Sequence, residues 1–177
     1  MSDLGFNTLA LQGALLKNLE GLEYHCMTPI QAKSLPFILE GKDVIAKAKT
    51  GSGKTAAFAL GLLNKLNIKT SATQALILCP TRELADQVAK EMRRLARAIP
   101  NVKVTTLCGG QAMGPQIGSL LHAPHIIVGT PGRIEKHLLK GTLALGSLTT
   151  LVLDEADRML DMGFEESVDA IVRKLPS

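Results

Sequence analysis

The sequence contains no run of about 18 consecutive apolar residues, the length that a helix needs to cross a membrane. Residues 1–6 lack a basic flank followed by an apolar segment, so nothing in them predicts export or organelle targeting. Internal repeats, low-complexity tracts and interdomain linkers are also missing. For a chain of 177 residues, these absences predict one globular domain, located in the cytoplasm.

Cysteines are few, and their number is odd. Cys26, Cys79 and Cys108 lie far apart in the sequence, which fits neither a disulfide framework nor a zinc site with paired ligands. We therefore predict that all three are buried and behave as apolar residues.

A strong excess of charge of either sign is absent as well. The formal net charge is +4, with 46% hydrophobic and 20% charged residues, which is a globular composition. This charge permits a polyanionic partner but does not by itself indicate one.

Short apolar runs and helical patterns alternate along the chain. Helical spacing of apolar residues is clearest over Arg82–Ile99, and residues 6–39 predict two helices that stop near Gly21 and Gly41. The alternation predicts an α/β fold with a parallel sheet and helices on both faces, in unspecified strand order. Five apolar runs are the expected buried strands: Val44–Ala48, Ala75–Cys79, Val102–Leu107, His125–Gly129 and Leu151–Leu153.

The first run leads into a Walker A pattern, Ala48-Lys49-Thr50-Gly51-Ser52-Gly53-Lys54-Thr55, which a helical stretch follows. Gly51 and Gly53 allow backbone N–H groups to face a phosphate at the helix N-terminus. Lys54 is expected to reach the β- and γ-phosphates, and the Thr55 hydroxyl to bind Mg²⁺. The structural alternative is a glycine-rich turn that only begins a helix.

The same residues also fit a dinucleotide-binding fingerprint, G-x-G-x-x-A, which ends at Ala56. A dehydrogenase-like module of that type expects an acidic residue at the end of the next strand, where it binds a ribose hydroxyl. Here the strand ends Leu78-Cys79-Pro80-Thr81, without a carboxylate. The sequence therefore favours phosphate binding of the Walker A type.

An acidic segment, Asp154-Glu155-Ala156-Asp157, follows the last apolar run. Phosphoryl transfer needs a carboxylate near Mg²⁺ and a group that orients or deprotonates the attacking water. Asp154 is the candidate magnesium carboxylate, acting through water, and Glu155 is the candidate base. Alternatively, these acids only stabilise the start of the next helix.

Asp154-Glu155-Ala156-Asp157 spells the motif that names the DEAD-box RNA helicases, and the chain resembles that family throughout. The segment Tyr24-His25-Cys26-Met27-Thr28-Pro29-Ile30-Gln31 resembles its Q motif, with Phe6 as the upstream aromatic residue and Glu23 where many members have glycine. Three further segments resemble its RNA-contact motifs in the expected order: Pro80-Thr81-Arg82-Glu83-Leu84-Ala85, Gly109-Gly110 and Thr130-Pro131-Gly132-Arg133.

The resemblance implies a role for each motif. Gln31 would select adenine over guanine through its paired donor and acceptor, and the Tyr24 ring would stack on the base unless it is a core residue. Thr28 and Phe6 would belong to the same nucleotide site. The three RNA-contact motifs would bind the RNA backbone without base specificity, although each taken alone fits an ordinary turn or helix cap. Asp157 would couple this domain to a second one.

For the whole chain, the resemblance implies a RecA-like domain in which Q-motif helices over residues 1–41 precede a P-loop core over 42–177. A second RecA-like domain, with an arginine finger, would lie outside these residues, as would a Ser-Ala-Thr motif. ATP, ADP and Mg²⁺ are the implied ligands, and the expected activity is RNA-stimulated ATP hydrolysis that unwinds RNA. A nucleotide-dependent binding module is the alternative for the chain by itself. Segments 108–111 and 157–164 resemble the bacterial DEAD-box protein A group, which is associated with large-subunit ribosomal RNA.

Overall fold

A computed structural model of the protein describes residues 4–177. These residues form two compact units, one of residues 4–66 with Glu91–Asn101 and the other of Asn67–Lys90 with Val102–Ser177. The expectation of a single domain stays a prediction.

Three α-helices form most of the first unit: α1 (Gly13–Gly21), α2 (Pro29–Leu39) and α3 (Lys54–Lys65). Short 3-10 helices cover Phe6–Thr8 and Ala96–Ala98. The helix ends confirm the predicted stops, because α1 ends at Gly21 and Gly41, just beyond α2, has φ +81°. Fully buried leucines pack between the helices: Leu15, Leu19, Leu35, Leu60 and Leu63.

The predicted strand at Val44–Ala48 is wrong. This segment forms neither a helix nor a strand, and Ile45 is fully exposed. A strand is stabilised by ladder hydrogen bonds to a neighbouring strand, and no strand among residues 4–177 pairs with this segment. Apolar composition alone predicted a buried strand here because it carries no information about the pairing partner.

A four-stranded parallel sheet lies in the second unit, in the order β2-β3-β1-β4. Its strands lie within or close to the other four predicted runs: β1 (Ala75–Leu78), β2 (Val104–Leu107), β3 (Ile126–Gly129) and β4 (Thr150–Leu153). All residues of β1 and β3, the two central strands, are buried, as expected of strands covered on both faces. The order was not predicted, because periodicity does not specify neighbours.

Five helices connect or follow these strands: α4 (Arg82–Leu95), α5 (Met113–Leu120), α6 (Pro131–Lys140), α7 (Ala156–Asp161) and α8 (Glu165–Val172). The last residues of α4 belong to the first unit. A hydrophobic cluster joins the sheet to α6, α7 and α8, and it includes Leu76, Leu107, Ile134, Met159 and Ile171. This core holds the carboxyl ends of the strands in place, and the predicted motifs follow those ends.

The cysteines correct part of the sequence prediction. Cys79 and Cys108 are buried, and burial raises the pKa of the Cys79 thiol far above its usual range and that of Cys108 to about 11. Cys26 is exposed, contrary to prediction, because it forms an isolated antiparallel bridge with Gly5 ahead of α2 instead of entering the core. Among residues 4–177, no helix combines the length and the apolar character required to cross a membrane.

Candidate functional site

The Walker A loop lies in the first unit and leads directly into α3, which begins at Lys54. Gly51 and Gly53 both have positive φ, +81° and +91°, a conformation that side chains other than glycine rarely adopt. A Cβ on Gly53 would lie 2.5 Å from Gln31 Nε2 and 2.8 Å from Thr28 Oγ1, so glycine is also required sterically. Both glycines therefore serve the turn that the motif predicted.

Gln31 connects the start of α2 to the Walker A loop. Its Oε1 accepts a hydrogen bond from Thr28 N (2.9 Å), and its Nε2 donates to the Gly53 carbonyl (3.1 Å). The side chain is 1% exposed. Each atom thus makes one bond to a backbone group, which leaves one lone pair on Oε1 and one hydrogen on Nε2 for the N6 and N7 positions of adenine. Adenine selection by Gln31 stays a prediction.

A cleft of about 420 Å³ opens beside this connection. Two buried side-chain oxygens near it, Thr28 Oγ1 and Ser52 Oγ, have no hydrogen-bond partner. Thr28 is the N-cap residue of α2 and forms a capping box with Gln31, but its hydroxyl makes no hydrogen bond of good geometry. Buried hydroxyls without partners are costly unless a ligand satisfies them, so the residues fit a polar ligand such as a nucleotide.

Lys33 and Lys47 also line the cleft, and sequence reasoning missed both. Lys33 follows Pro29 and Ile30 by one helical turn on α2, so it belongs to the same helix face. Lys47 lay inside the segment predicted as a buried strand. Helical spacing from the Q motif was the one sequence signal that could have identified Lys33.

Tyr24 and Phe6 make contacts that favour a structural role. The Tyr24 hydroxyl donates to Glu91 Oε1 at 2.6 Å, and the Arg94 guanidinium lies 5.4 Å from the ring centroid. Burial, followed by the Glu91 contacts, raises the pKa of Tyr24. The Phe6 ring is 4% exposed and meets the Tyr24 ring edge to face, with centroids 6.4 Å apart. Stacking of these rings on a base stays a prediction.

The acidic segment follows β4 in the second unit. Asp154 is 8% exposed, and its charge is the second cause, after burial, of the raised Cys79 pKa. Glu155 adopts a left-handed conformation with φ +52°, which costs a non-glycine residue about 1–2 kcal/mol. Its carboxylate pairs with Arg158 (3.2 Å). Glu23 and Asn101 also have positive φ, so this conformation does not by itself distinguish Glu155, and its role as the base stays a prediction.

Four predicted motifs begin where four strands of the second unit end. The pairing register places Leu107, Gly129, Leu78 and Leu153 side by side at the carboxyl ends of the strands. In strand order, the segments that follow are Gly109-Gly110, Thr130–Arg133, Pro80–Arg82 and Asp154–Asp157. The fold therefore brings the three RNA-contact motifs and the acidic motif into one row along this edge.

Hydrogen bonds join two of these motifs directly. Gly109 N donates to Thr130 Oγ1 (3.1 Å), and Arg133 Nη1 donates to the Gln111 carbonyl (2.7 Å). In the neighbouring motif, Thr81 Oγ1 accepts from Leu84 N (3.2 Å) at the start of α4. Helix N-termini of this kind present backbone N–H groups and partial positive charge, which suit phosphate binding.

A parallel sheet with ligand-binding motifs at the carboxyl ends of its strands is typical of nucleotide-binding α/β proteins. The chain belongs to the DEAD/DEAH box helicase family, whose sequence profile matches residues 28–177. This membership rules out the dehydrogenase-like alternative.

Two curated relatives and one solved structure illustrate the similarity. The chain is 62% identical to the ATP-dependent RNA helicase DbpA of Escherichia coli over 173 residues, covering 97% of this chain and 38% of the relative. It is 48% identical to the DEAD-box ATP-dependent RNA helicase CshA of Geobacillus kaustophilus, covering 97% and 37%. The crystal structure of a DEAD box protein from Methanococcus jannaschii matches with a TM-score of 0.91 and 42% identity, covering 97% of this chain and 47% of that one. The chain thus spans less than half of each protein.

Proposed function

We propose that the chain is the ATP-binding part of an ATP-dependent RNA helicase of the DbpA type. The observation that carries the proposal is the row of four motifs at one edge of the sheet. The two curated relatives support it, since both DbpA and CshA are ATP-dependent RNA helicases. In this proposal, ATP hydrolysis stimulated by RNA drives local unwinding of RNA duplexes in the full-length protein.

Nucleotide binding uses the Walker A loop and the start of α2. The loop, from Ala48 through Lys49, Thr50 and Ser52 to Thr55, presents backbone N–H groups to the phosphates, and Lys54 adds a positive charge. The unpaired hydroxyls of Thr28 and Ser52 supply further hydrogen bonds. These groups fit a triphosphate because they combine N–H donors, hydroxyls and an ammonium group.

For Mg²⁺, the donor chemistry fits a hard cation that prefers oxygen ligands. The Thr55 hydroxyl would bind the ion directly, and the Asp154 carboxylate would bind it through water. When bound, Mg²⁺ neutralises charge that develops on the phosphates during transfer. Glu155 orients and deprotonates the attacking water, and Asp157 couples the site to the second domain.

RNA binding uses the three motifs at the sheet edge, whose residues are Pro80, Thr81, Arg82, Gly109, Gly110, Thr130, Pro131, Gly132 and Arg133. The glycine pair allows a strand of RNA to approach the backbone closely. Helix N-termini and arginines contact phosphates and not base edges, so binding is not sequence-specific. We further propose a second RecA-like domain as the partner of this one, ribosomal RNA as the substrate, a role in ribosome biogenesis and a cytoplasmic location.

Calorimetric titration tests the nucleotide part of the proposal. With Mg²⁺ present, we expect ADP to bind, and Lys54→Ala to weaken binding by about 2 kcal/mol or more because a charge-assisted phosphate contact is lost. Unchanged affinity in the variant would show that the loop is only a structural turn.

Parallel titrations with GDP and NADH test ligand class. We expect ADP to bind more tightly than GDP, and Gln31→Ala to narrow that difference, because the adenine edge loses a paired donor and acceptor. Equal binding of ADP and GDP by the unmutated chain would contradict the adenine assignment. Tighter binding of NADH than of ADP would contradict the assignment of a nucleoside-triphosphate site.

A further inference from the structure

Arg133 is held by two partners through a single nitrogen. Its Nη1 donates to the Gln111 carbonyl (2.7 Å) and to Gln116 Oε1 (3.0 Å). Both hydrogens of Nη1 are used in these bonds. The Nε and Nη2 donors of this half-buried side chain have no hydrogen-bond partner within residues 4–177. One end of the guanidinium is therefore anchored, while three N–H groups remain available to a ligand.

The orientation of the Gln116 amide follows from this contact. A guanidinium nitrogen only donates, so the Gln116 atom that faces it is the carbonyl oxygen. The Gln116 Nε2 then points the other way and donates to the Cys108 carbonyl (3.1 Å). Gln116 is 6% exposed, and it ties Arg133 to the backbone residue immediately before Gly109.

His137 completes the chain of hydrogen bonds from the opposite side. Its Nε2 lies 2.8 Å from the same Gln116 Oε1, and its Nδ1 lies 2.8 Å from Thr142 Oγ1. Because the Gln116 oxygen only accepts, His137 Nε2 carries the hydrogen, and the unprotonated Nδ1 shares the single Thr142 hydroxyl hydrogen with the His137 carbonyl, which lies 3.2 Å from Thr142 Oγ1. The imidazole is fully buried, so it reaches no RNA itself.

The neutral form of His137 is favoured by its surroundings. Burial, followed by the positive charges of Arg133, Lys136 and Lys140, lowers the His137 pKa. Protonation would place a second cation beside the Arg133 guanidinium. The neutral ring therefore supports the network without competing with Arg133 for an anion.

We propose that Gln116 and His137 are positioning residues that fix the free edge of the Arg133 guanidinium for binding of an RNA phosphate. This inference rests on the proposed RNA-binding function of the motif Thr130–Arg133. The network also links the two neighbouring motifs, because Cys108, Gln111 and Gln116 connect Arg133 to the Gly109-Gly110 segment. A guanidinium that is already oriented loses less conformational entropy when a phosphate binds.

A double-mutant cycle on RNA affinity tests the positioning role. The four proteins are the unmutated chain, His137→Leu, Arg133→Ala and the double variant, titrated by fluorescence anisotropy with a short labelled oligouridylate at low salt. We expect His137→Leu to weaken RNA binding by about fivefold, the scale of one lost hydrogen bond. In the Arg133→Ala background, we expect His137→Leu to have no further effect, because His137 acts through Arg133.

His137→Gln is the matched conservative variant, since its amide N–H can replace the imidazole Nε2–H as donor to Gln116. We expect it to bind RNA nearly as tightly as the unmutated chain. ADP affinity and the melting temperature of each variant, measured in the same buffer, establish that it is folded at the assay temperature. A merely structural role predicts lower melting temperatures with unchanged RNA affinity.

The outcomes separate the inference from the function on which it rests. If the unmutated chain binds ADP but not RNA, the RNA part of the proposed function fails, and the inference fails with it. If the unmutated chain binds RNA but His137→Leu has no effect, or has the same effect with and without Arg133, only the positioning role is overturned. If His137→Leu does not fold, His137→Gln is the remaining test. A fivefold loss of RNA affinity in His137→Gln at a normal melting temperature would also overturn the positioning role.

Discussion

Thr28 and Ser52 show at the residue scale how the first unit is prepared for a ligand. Each buries a side-chain oxygen without a hydrogen-bond partner. A buried hydroxyl left in this state costs on the order of 1–3 kcal/mol. Thr28 is also the N-cap residue of α2, where its hydroxyl faces the Gln31 backbone N–H in a capping box without a hydrogen bond of good geometry.

Removal of the Thr28 hydroxyl therefore tests capping of α2 and ligand binding together. We expect Thr28→Val to lower the free energy of unfolding by about 1 kcal/mol or less, because valine is a poor N-cap residue but removes a buried unpaired oxygen. ADP affinity should fall if the hydroxyl binds nucleotide. Urea unfolding and calorimetry measure the two effects, with Thr28→Ser as the control that retains the hydroxyl. A loss of stability together with unchanged ADP affinity would show that Thr28 has only a structural role.

His137 gives the second unit a dependence on pH. Its pKa in the folded chain is lowered below the value of about 6.5 expected in the unfolded chain. The unfolded state therefore binds more protons in the range just below pH 6.5, so the stability contributed by the neutral ring is present above that pH and lost as the pH falls. We expect the free energy of unfolding to fall more steeply between pH 7.5 and 5.5 in the unmutated chain than in His137→Gln. Urea unfolding at both pH values measures the change. An equal decrease in the free energy of unfolding in the two proteins would contradict this expectation.

At the scale of elements, α2 and α3 pack closely because Gly61 lacks a side chain. A Cβ at this position would overlap Ile38 Cγ2. Ile38 is branched at Cβ, so few alternative side-chain conformations are available to it in a helix. The glycine is therefore explained by helix packing and not by a turn.

Gly61→Ala tests this packing. Alanine raises helix propensity by about 1 kcal/mol, but overpacking costs about 1–3 kcal/mol, so we expect net destabilisation of up to about 2 kcal/mol. Gly118→Ala in α5 is the matched control, since no atom lies within 4 Å of its added Cβ, and it should be neutral or stabilising. Thermal unfolding of the two variants provides the comparison. Destabilisation of both to the same extent would rule out the contact with Ile38 as the cause.

At the scale of the whole molecule, the chain spans 38% of the length of its DbpA relative. We expect these 177 residues, assayed by themselves, to bind ADP but to hydrolyse ATP negligibly and to unwind no RNA. The family resemblance assigns an arginine finger to a second RecA-like domain, and such a finger contributes on the order of 10³ to 10⁵ in rate. Lys54 and Mg²⁺ alone stabilise only part of the charge on the γ-phosphoryl group.

A steady-state phosphate-release assay, with and without single-stranded RNA, measures this. Glu155→Gln is the control for contaminating ATPases, because it removes the proposed base while preserving the side-chain shape. Turnover of many cycles per minute that RNA stimulates and Glu155→Gln abolishes would show that this part of the protein is catalytically complete.

Local properties of the sequence determined the motifs and most helix and strand positions. Gly21 ends α1, Pro131 begins α6, and the Walker A glycines adopt the positive φ that their pattern requires. Each of these features depends on interactions within a few residues, which propensity, capping and spacing describe.

Tertiary structure decided what depends on partners distant in the chain. Strand order, the lack of pairing at Val44–Ala48 and the exposure of Cys26 follow from which backbone groups meet, and hydrophobic patterns do not encode that choice. The same holds for side chains: the amide of Gln31 binds Gly53, and Gln116 binds His137 across 21 residues of sequence. Hydrogen bonds between such positions depend on directions that only the folded backbone fixes, so the sequence could name the motifs but not the residues that orient them.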